Sequence, residues 1–392
     1  MAAAPLLLDE SELTACVACG LCLPHCPTYR VTGLEIASPR GRIAAMQAVQ
    51  LGGRAIDREF VAAMDACVQC RGCETACPSS VPFGRLMEGA KTAIAPRRSW
   101  LRRAVERVAL SWVLPRHKLL RATTWVLYAA QRLRVLPRRA GVPLLRARAL
   151  RLRLHGAAAP SAWLFTGCVM DAWQRDVHAD AMRVMQACGA AVGLPGRGGD
   201  CCGALHAHAG RERDARALAR NVIASMPGDA PIVVDSAGCG AAMREYGALL
   251  GTPEARAFSG RVRDFAEWVV QQGVPPMRRS ERLVVIQDPC HLRNVQRVER
   301  HVRTLLAPAY ELRETADDGL CCGAGGAYSV TEPGLSAKMR ARKVDAIRAA
   351  AGAGRPYVVA SPNPGCAMHL GAAGLTTRHP AQLVADVLED PS

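Results

Sequence analysis

Two cysteine runs of identical spacing constrain this chain more than any other feature in it. Cys16-x-x-Cys19-x-x-Cys22-x-x-x-Cys26-Pro27 and Cys67-x-x-Cys70-x-x-Cys73-x-x-x-Cys77-Pro78 place eight thiols ahead of Ser79. The full chain has 17 cysteines in 392 residues, an odd number that suits no closed disulfide framework. No signal peptide is expected either, because Met1 to Leu8 has no basic region and is followed by Asp9, Glu10 and Glu12. Cysteines in such a chain are expected to serve as metal ligands or redox groups in a reducing, cytoplasmic compartment.

Three thiolates separated by two residues each can wrap one cubane, since the intervening turns point every sulfur at one centre. The fourth lies too far along the chain, and in the bacterial two-cluster ferredoxin arrangement it ligates the other cluster. The predicted ligand sets are therefore Cys16, Cys19, Cys22 and Cys77 for one [4Fe-4S] cluster, and Cys67, Cys70, Cys73 and Cys26 for the second. Structural zinc is the alternative, but zinc takes four ligands, usually in two separated pairs, and two identical runs of four suit it poorly. Ser38-Pro39-Arg40-Gly41-Arg42 is expected to open a helix joining the half-sites, its arginines either solvated or offsetting cluster charge.

A duplication organises the remainder. A β-like run at Trp163 to Thr166 leads to Cys168, then Asp200-Cys201-Cys202-Gly203, then Pro231 to Val234 leading to Ser236-Ala237-Gly238-Cys239. Leu283 to Ile286, Pro289-Cys290, Leu320-Cys321-Cys322-Gly323, and Tyr357 to Ala360 leading to Asn363-Pro364-Gly365-Cys366 repeat that order at offsets of 122, 120, 120 and 127 residues. Helical periodicity is expected over His178 to Cys188, Arg211 to Met226, Ser259 to Gln272 and Gly334 to Ala351, so each copy reads as an α/β unit. Gly203 and Gly323 would let the backbone turn so that adjacent thiols face one cavity. Those thiols are candidate ligands for a cluster or metal, a redox dithiol, or buried small hydrophobes. Cys188 has no counterpart and is expected in the core, while His206, His208, His291 and His369 are possible ligands or proton relays.

The formal charge of +16 is concentrated between Lys91 and His155, where seventeen Lys and Arg face one acid, Glu106. Trp100, Trp112 and Trp125 alternate there with Arg102, Arg103, Arg107, Arg116, Lys118 and Arg121, in helical patterns broken by Pro115, Pro137 and Pro143. The pattern suits an anionic membrane surface or acidic partner, or else a solvated basic face; nucleic acid is not expected, for want of a binding motif. No apolar run approaches the ~20 residues of a membrane span. No phosphate-binding glycine loop stands in a strand-to-helix context, so neither bound flavin nor nicotinamide is expected.

These residues, from Cys16 to His379, resemble the iron-sulfur subunit of glycolate oxidase, an enzyme also called glycolate dehydrogenase. The likeness rests on the two cysteine runs, Ser38 to Arg42, Asp288-Pro289-Cys290, Cys321-Cys322-Gly323-Ala324-Gly325-Gly326-Ala327-Tyr328 and Gly365-Cys366-Ala367-Met368-His369-Leu370. The resemblance implies an α-rich, α+β chain: a helical bacterial-type 2[4Fe-4S] ferredoxin domain (1–90), a basic amphipathic linker (91–156), and two α/β cysteine-rich CCG domains (157–275 and 276–392). It also implies FAD-binding dehydrogenase partners that oxidise glycolate or a related 2-hydroxy acid, with electrons passing from their flavin through this chain toward a quinone or other acceptor. Similar architecture occurs in anaerobic glycerol-3-phosphate dehydrogenase and in heterodisulfide reductase. In the latter the CCG pattern ends in CxxC, where this chain has Ser236 and Asn363, which argues against independent disulfide reduction.

Overall fold

The computed structural model describes residues 6–135, 145, 147–317 and 319–389. Pro137 and Pro143, expected to break the basic stretch, lie outside the described residues, as does the opening Met1–Pro5.

The first ninety residues form short helices around one apolar centre made by Leu13, Ile43, Met46, Met64, Leu86 and Met87, with Cys67 and Cys73 buried in its wall. The helix Pro39–Gln50 begins as its sequence demands: Pro39 needs no amide partner in the first turn, and the Ser38 hydroxyl accepts from the Gly41 amide at 2.9 Å. Asp57 caps Arg58–Asp65 in the same way through the Phe60 amide at 2.8 Å. Neither arginine of the Ser38–Arg42 motif is simply solvated. Arg40 binds Glu35 and donates to the Ala18 carbonyl, and Arg42 is fully buried, donating to Ala63 O at 2.8 Å and Ala37 O at 2.6 Å.

The duplicated half contains two parallel sheets of equal topology. Strands β1 (Ala162–Phe165), β2 (Val192–Gly193), β3 (Ile232–Val234) and β4 (Val262–Asp264) stand in the order β2-β1-β3-β4. Strands β5 (Leu283–Ile286), β6 (Glu311–Arg313), β7 (Tyr357–Ala360) and β8 (Thr377–Arg378) repeat it as β6-β5-β7-β8. The central strands are continuous apolar runs because helices cover both sheet faces. Register is equivalent, with Trp163 opposite Ile232 and Leu283 opposite Tyr357. One apolar core joins the copies, running from Leu164, Met185 and Phe265 to Ile286, Leu305 and Val384.

The expected helix from Ser259 to Gln272 is corrected by the fold. The chain ends one helix at Arg261, passes through β4, and starts another, Phe265–Gln272, under an Asp264–Glu267 capping box. Three residues with two polar side chains are too short to announce a strand; pairing with β3 creates it. Cys188 sits half-buried just beyond the helix Arg175–Ala187, against the shared core.

The basic stretch forms the helix Trp100–Glu106, a π-helical turn Arg107–Val113, and the helix His117–Arg132. Among the described residues no helix is long and apolar enough to cross a membrane. Arg98 and Arg102 do not belong to a solvated basic face. Arg98 binds Asp65 at 2.7 Å with both side chains buried, Arg102 reaches the other Asp65 oxygen at 2.7 Å, and Glu106 bonds to both arginines. Removing one partner of a buried ion cluster leaves uncompensated charge. Asp65→Ala is expected to cost about 3 kcal/mol in chemical denaturation, whereas Arg54→Ala, at an exposed pair with Asp57, should cost under about 1 kcal/mol.

Candidate thiol sites

The two N-terminal runs fold into matching loops. Ala18 and Gly20 in the first (φ 55° and 86°), and Gln69 and Arg71 in the second (φ 56° and 58°), hold left-handed conformations at corresponding positions. Three of the four are not glycine, so tertiary contacts must hold them there. The turn aims the Gln69 amide at Cys67 Sγ, 3.4 Å away. Cys16, Cys19 and Cys22 line one hollow together with Cys77 and Cys73. Cys26, Cys67, Cys70 and Cys73 gather on the buried side, where desolvation, then the charge of neighbouring thiols, pushes Cys70 and Cys73 well up. Cys26 Sγ lies 3.1 Å from Thr28 Oγ1, which also touches the Arg42 guanidinium at 3.2 Å. A positive charge is thereby placed one hydrogen-bonded residue from Cys26.

Each duplicated unit assembles four cysteines from the segments that follow its strands, Cys239 and Cys366 in the first turns of helices Ala237–Arg244 and Pro364–Gly371. Gly203 (φ 80°) and Gly323 (φ 86°) supply the expected turn, and the Gly323 amide points at Cys321 Sγ at 3.4 Å. In the first unit Cys168 pairs with Cys201 and Cys202 with Cys239, and Cys168 and Cys202 are pushed up, first by those hydrogen bonds and then by burial. In the second unit Cys290 and Cys321 sulfurs lie 4.0 Å apart. The hydrogen bond with Cys321, and after it the charge of His291 (Nδ1 at 3.6 Å), brings Cys290 down to about 5. Hydrogen bonds from Cys321 and Cys366 also hold Cys322 low. Within the second unit Cys290 and Cys322 are held low, while the same hydrogen bonds, then burial, push Cys321 and Cys366 well up. Among the described residues no three Cys, His, Asp or Glu side chains converge tightly enough to hold a single metal ion.

The four histidines separate by environment. His206 Nε2 is 2.8 Å from Leu110 O and serves the linker. His369 Nε2 meets Ser336 Oγ at 3.1 Å near Cys322, and burial pushes its titration down. His208 lies tilted against His291, ring centroids 5.5 Å apart and planes at 42°, and desolvation with the neighbouring His291 charge pushes it down to about 3. Asn363, standing where a further cysteine would complete CxxC, donates to Cys366 Sγ at 3.4 Å and accepts from Gly238 N of the other unit at 3.1 Å.

The second thiol set adjoins the second N-terminal loop. Cys70 and Val68 share one buried cluster with Cys321, Tyr328 and Met339, against which Cys290 packs. Asn294 Nδ2 donates to Cys70 O at 2.9 Å, and Tyr328 Oη donates to Ala66 O at 3.0 Å. Sequence periodicity carries no trace of these contacts, nor of the buried His178–Asp235 pair at 2.6 Å.

A family model described as a 4Fe-4S dicluster domain matches residues 12–81, and one described as a cysteine-rich domain matches 162–244 and 284–371. The probable glycolate oxidase iron-sulfur subunit of Bacillus subtilis is 32% identical, covering 93% of this chain and 89% of the relative. The glycolate oxidase iron-sulfur subunit of Escherichia coli is 30% identical over 97% of this chain and 95% of its own. A fumarate reductase (CoM/CoB) subunit of Methanothermobacter marburgensis is 29% identical over 47% of this chain and 37% of its own.

Gly325 tests the junction between the two thiol regions. It has φ 46°, and an added Cβ would meet Val68 Cγ2 and Tyr328 Cβ at 2.7 Å. Gly325→Ala is expected to destabilise the chain by about 1–3 kcal/mol and to open the 66–71 loop to proteolysis or amide exchange before the rest of the N-terminal region.

Proposed function

Because the chain belongs to the family of glycolate oxidase iron-sulfur subunits, we propose that it is the electron-transfer subunit of an FAD-dependent 2-hydroxy acid oxidase, carrying electrons from a partner's flavin toward a quinone or other acceptor. The observation that carries this reading is the placement of two four-cysteine runs on loops of matched, left-handed geometry, with Cys16, Cys19, Cys22, Cys73 and Cys77 lining one hollow.

In this reading Cys16, Cys19, Cys22 and Cys77 hold one [4Fe-4S] cluster, and Cys67, Cys70, Cys73 and Cys26 hold the other. Such clusters, when bound, supply one-electron transfer at potentials set by burial and hydrogen bonds to sulfur. This chain's residues provide those settings. Gln69 N directs its proton at Cys67 Sγ, Arg42 keeps a buried positive charge near Cys26, and Val68, Tyr328 and Met339 exclude water from the Cys70 side. Substrate oxidation is assigned to the flavoprotein partner, and the same reading divides the chain at 90, 156 and 275.

A second reading is favoured by one observation: Cys290 packs against the buried cluster that holds Cys70 and Cys321, where the hydrogen bond with Cys321 and the charge of His291 hold its thiol low. Cys290, Cys321, Cys322 and Cys366 then form a further metal or thiol redox site continuous with the relay, while Cys168, Cys201, Cys202 and Cys239 serve assembly.

Iron analysis with low-temperature EPR of the reduced protein separates the readings. Two cubanes require about eight iron per chain, and Cys19→Ser and Cys70→Ser should each lose about half. Full iron and unaltered spectra in both variants would sink the ligand assignment. The double change Cys201→Ala with Cys202→Ala should leave both signals; loss of half the iron there would show a cluster in the first duplicated unit. Iron well above eight that falls in Cys321→Ala with Cys322→Ala would support the second reading.

A further inference from the structure

The segment between the two thiol regions sorts its side chains by sign and polarity. Arg98 and Arg102 turn inward onto Asp65 and Glu106. Arg103, Arg107, Arg116 and Lys118 are exposed, and among the described residues none of them pairs with a carboxylate. The single acid between Lys91 and Val135, Glu106, is already committed to the inward pair.

Apolar side chains share the outward face. Trp100 is 74% exposed, and Leu101, Val105, Val108 and Trp112 are 58–59% exposed. So many large apolar groups left to water within one short segment mark a surface that something covers. Beside them Val105, Val108, Leu114, Leu127 and Trp173 line an apolar hollow of about 620 Å³. The hollow offers no free hydrogen-bonding group from its threonines: Thr123 Oγ1 donates to Leu120 O at 2.9 Å, and Thr124 Oγ1 bonds Leu120 O and Trp173 Nε1. An occupant of that space needs no polar partner, which fits acyl chain better than peptide.

The face is held firmly by the first duplicated unit rather than hanging loose. Leu110 is buried and its carbonyl meets His206 Nε2 at 2.8 Å, while Ser111 is bonded by Arg211 and bonds Asp214. Arg116 lies over the Trp112 ring at 4.9 Å, joining a guanidinium to an indole as proteins do at the depth where headgroups meet acyl chains.

We propose that this face docks the subunit on an anionic lipid bilayer, with Trp100, Val105, Val108 and Trp112 entering the interface and Arg103, Arg107, Arg116 and Lys118 meeting headgroup phosphates. The proposal does not depend on which 2-hydroxy acid or acceptor the complex uses, and it places the relay at the membrane surface without a spanning helix.

The test is flotation of the full, cluster-containing chain with phosphatidylcholine vesicles and with vesicles that also contain phosphatidylglycerol. Binding is expected only with phosphatidylglycerol and is lost as salt rises. Arg103→Glu with Arg107→Glu should weaken partitioning at least about tenfold, since each cation near such a surface contributes on the order of a factor of five. Val108→Ser with Trp112→Ser should weaken it as well, and brominated acyl chains should quench tryptophan fluorescence in the unaltered protein. None of these side chains touches a thiol, so cluster absorbance should persist and shows that each variant is folded. Equal binding to neutral vesicles, or unchanged flotation of both variants, overturns the proposal. So does absence of flotation in a protein whose Arg103→Glu with Arg107→Glu variant fails to capture the flavoprotein partner, since the face is then a protein interface.

Discussion

The junction between the second N-terminal cysteine loop and the second duplicated unit sets the relation of everything else. Asn294 and Tyr328 donate to the carbonyls of Cys70 and Ala66, residues of the loop itself, and Val68 fits where Gly325 has no side chain. Hydrogen bonds from side chains to a loop's own carbonyls leave it little freedom to open. The loop that carries Cys67, Cys70 and Cys73 is thus shaped from outside as much as by its own spacing. Within the glycine-rich run 321–328 it is Gly325 that this approach leaves without room for a side chain.

Both units touch this loop, the first through Glu245 on Arg71 and His208 O on Gln69, but they meet it differently. Both units have the same strand order and the same adjacent thiols. Only the second has histidine directly after its first cysteine, and only its sulfurs pack beside Cys70. The first unit meets the loop through Glu245 on Arg71, and it ties His206 to the linker. A shared fold therefore carries two environments, and the one beside Cys70 also sets His291 against its first cysteine.

Buried charge holds the remaining parts in place. Asp65 collects Arg98 and Arg102, and Arg98 also donates to Ala209 O at 2.7 Å, so one carboxylate fixes the start of the basic stretch against both the N-terminal helices and the first unit. A cluster of this kind contributes little net free energy over an apolar replacement, but it specifies orientation because any misplacement leaves charge unpaired. The outward face, with its exposed tryptophans and its arginines turned away from any carboxylate, is a consequence of that orientation.

Spacing along the chain determined the matched cysteine loops, the cap at Ser38, the central strands at Leu283–Ile286 and Tyr357–Ala360, and the turns at Gly203 and Gly323. Each rests on neighbours a few residues away, whose geometry is local: turns between thiols, a hydroxyl three residues from an amide, an unbroken apolar run. Tertiary structure alone decided the rest. The strand Val262–Asp264 exists because β3 lies beside it, His178 finds Asp235 across 57 residues, and Arg98 is buried while Arg103 is exposed, although both read as one basic run. Cys290 and Cys168 occupy equivalent places in the sequence, and tertiary packing sets Cys290 against the cluster that holds Cys70. Such distinctions depend on which surfaces meet, and a one-dimensional pattern records which residues are available for contact but not the partner each one finds.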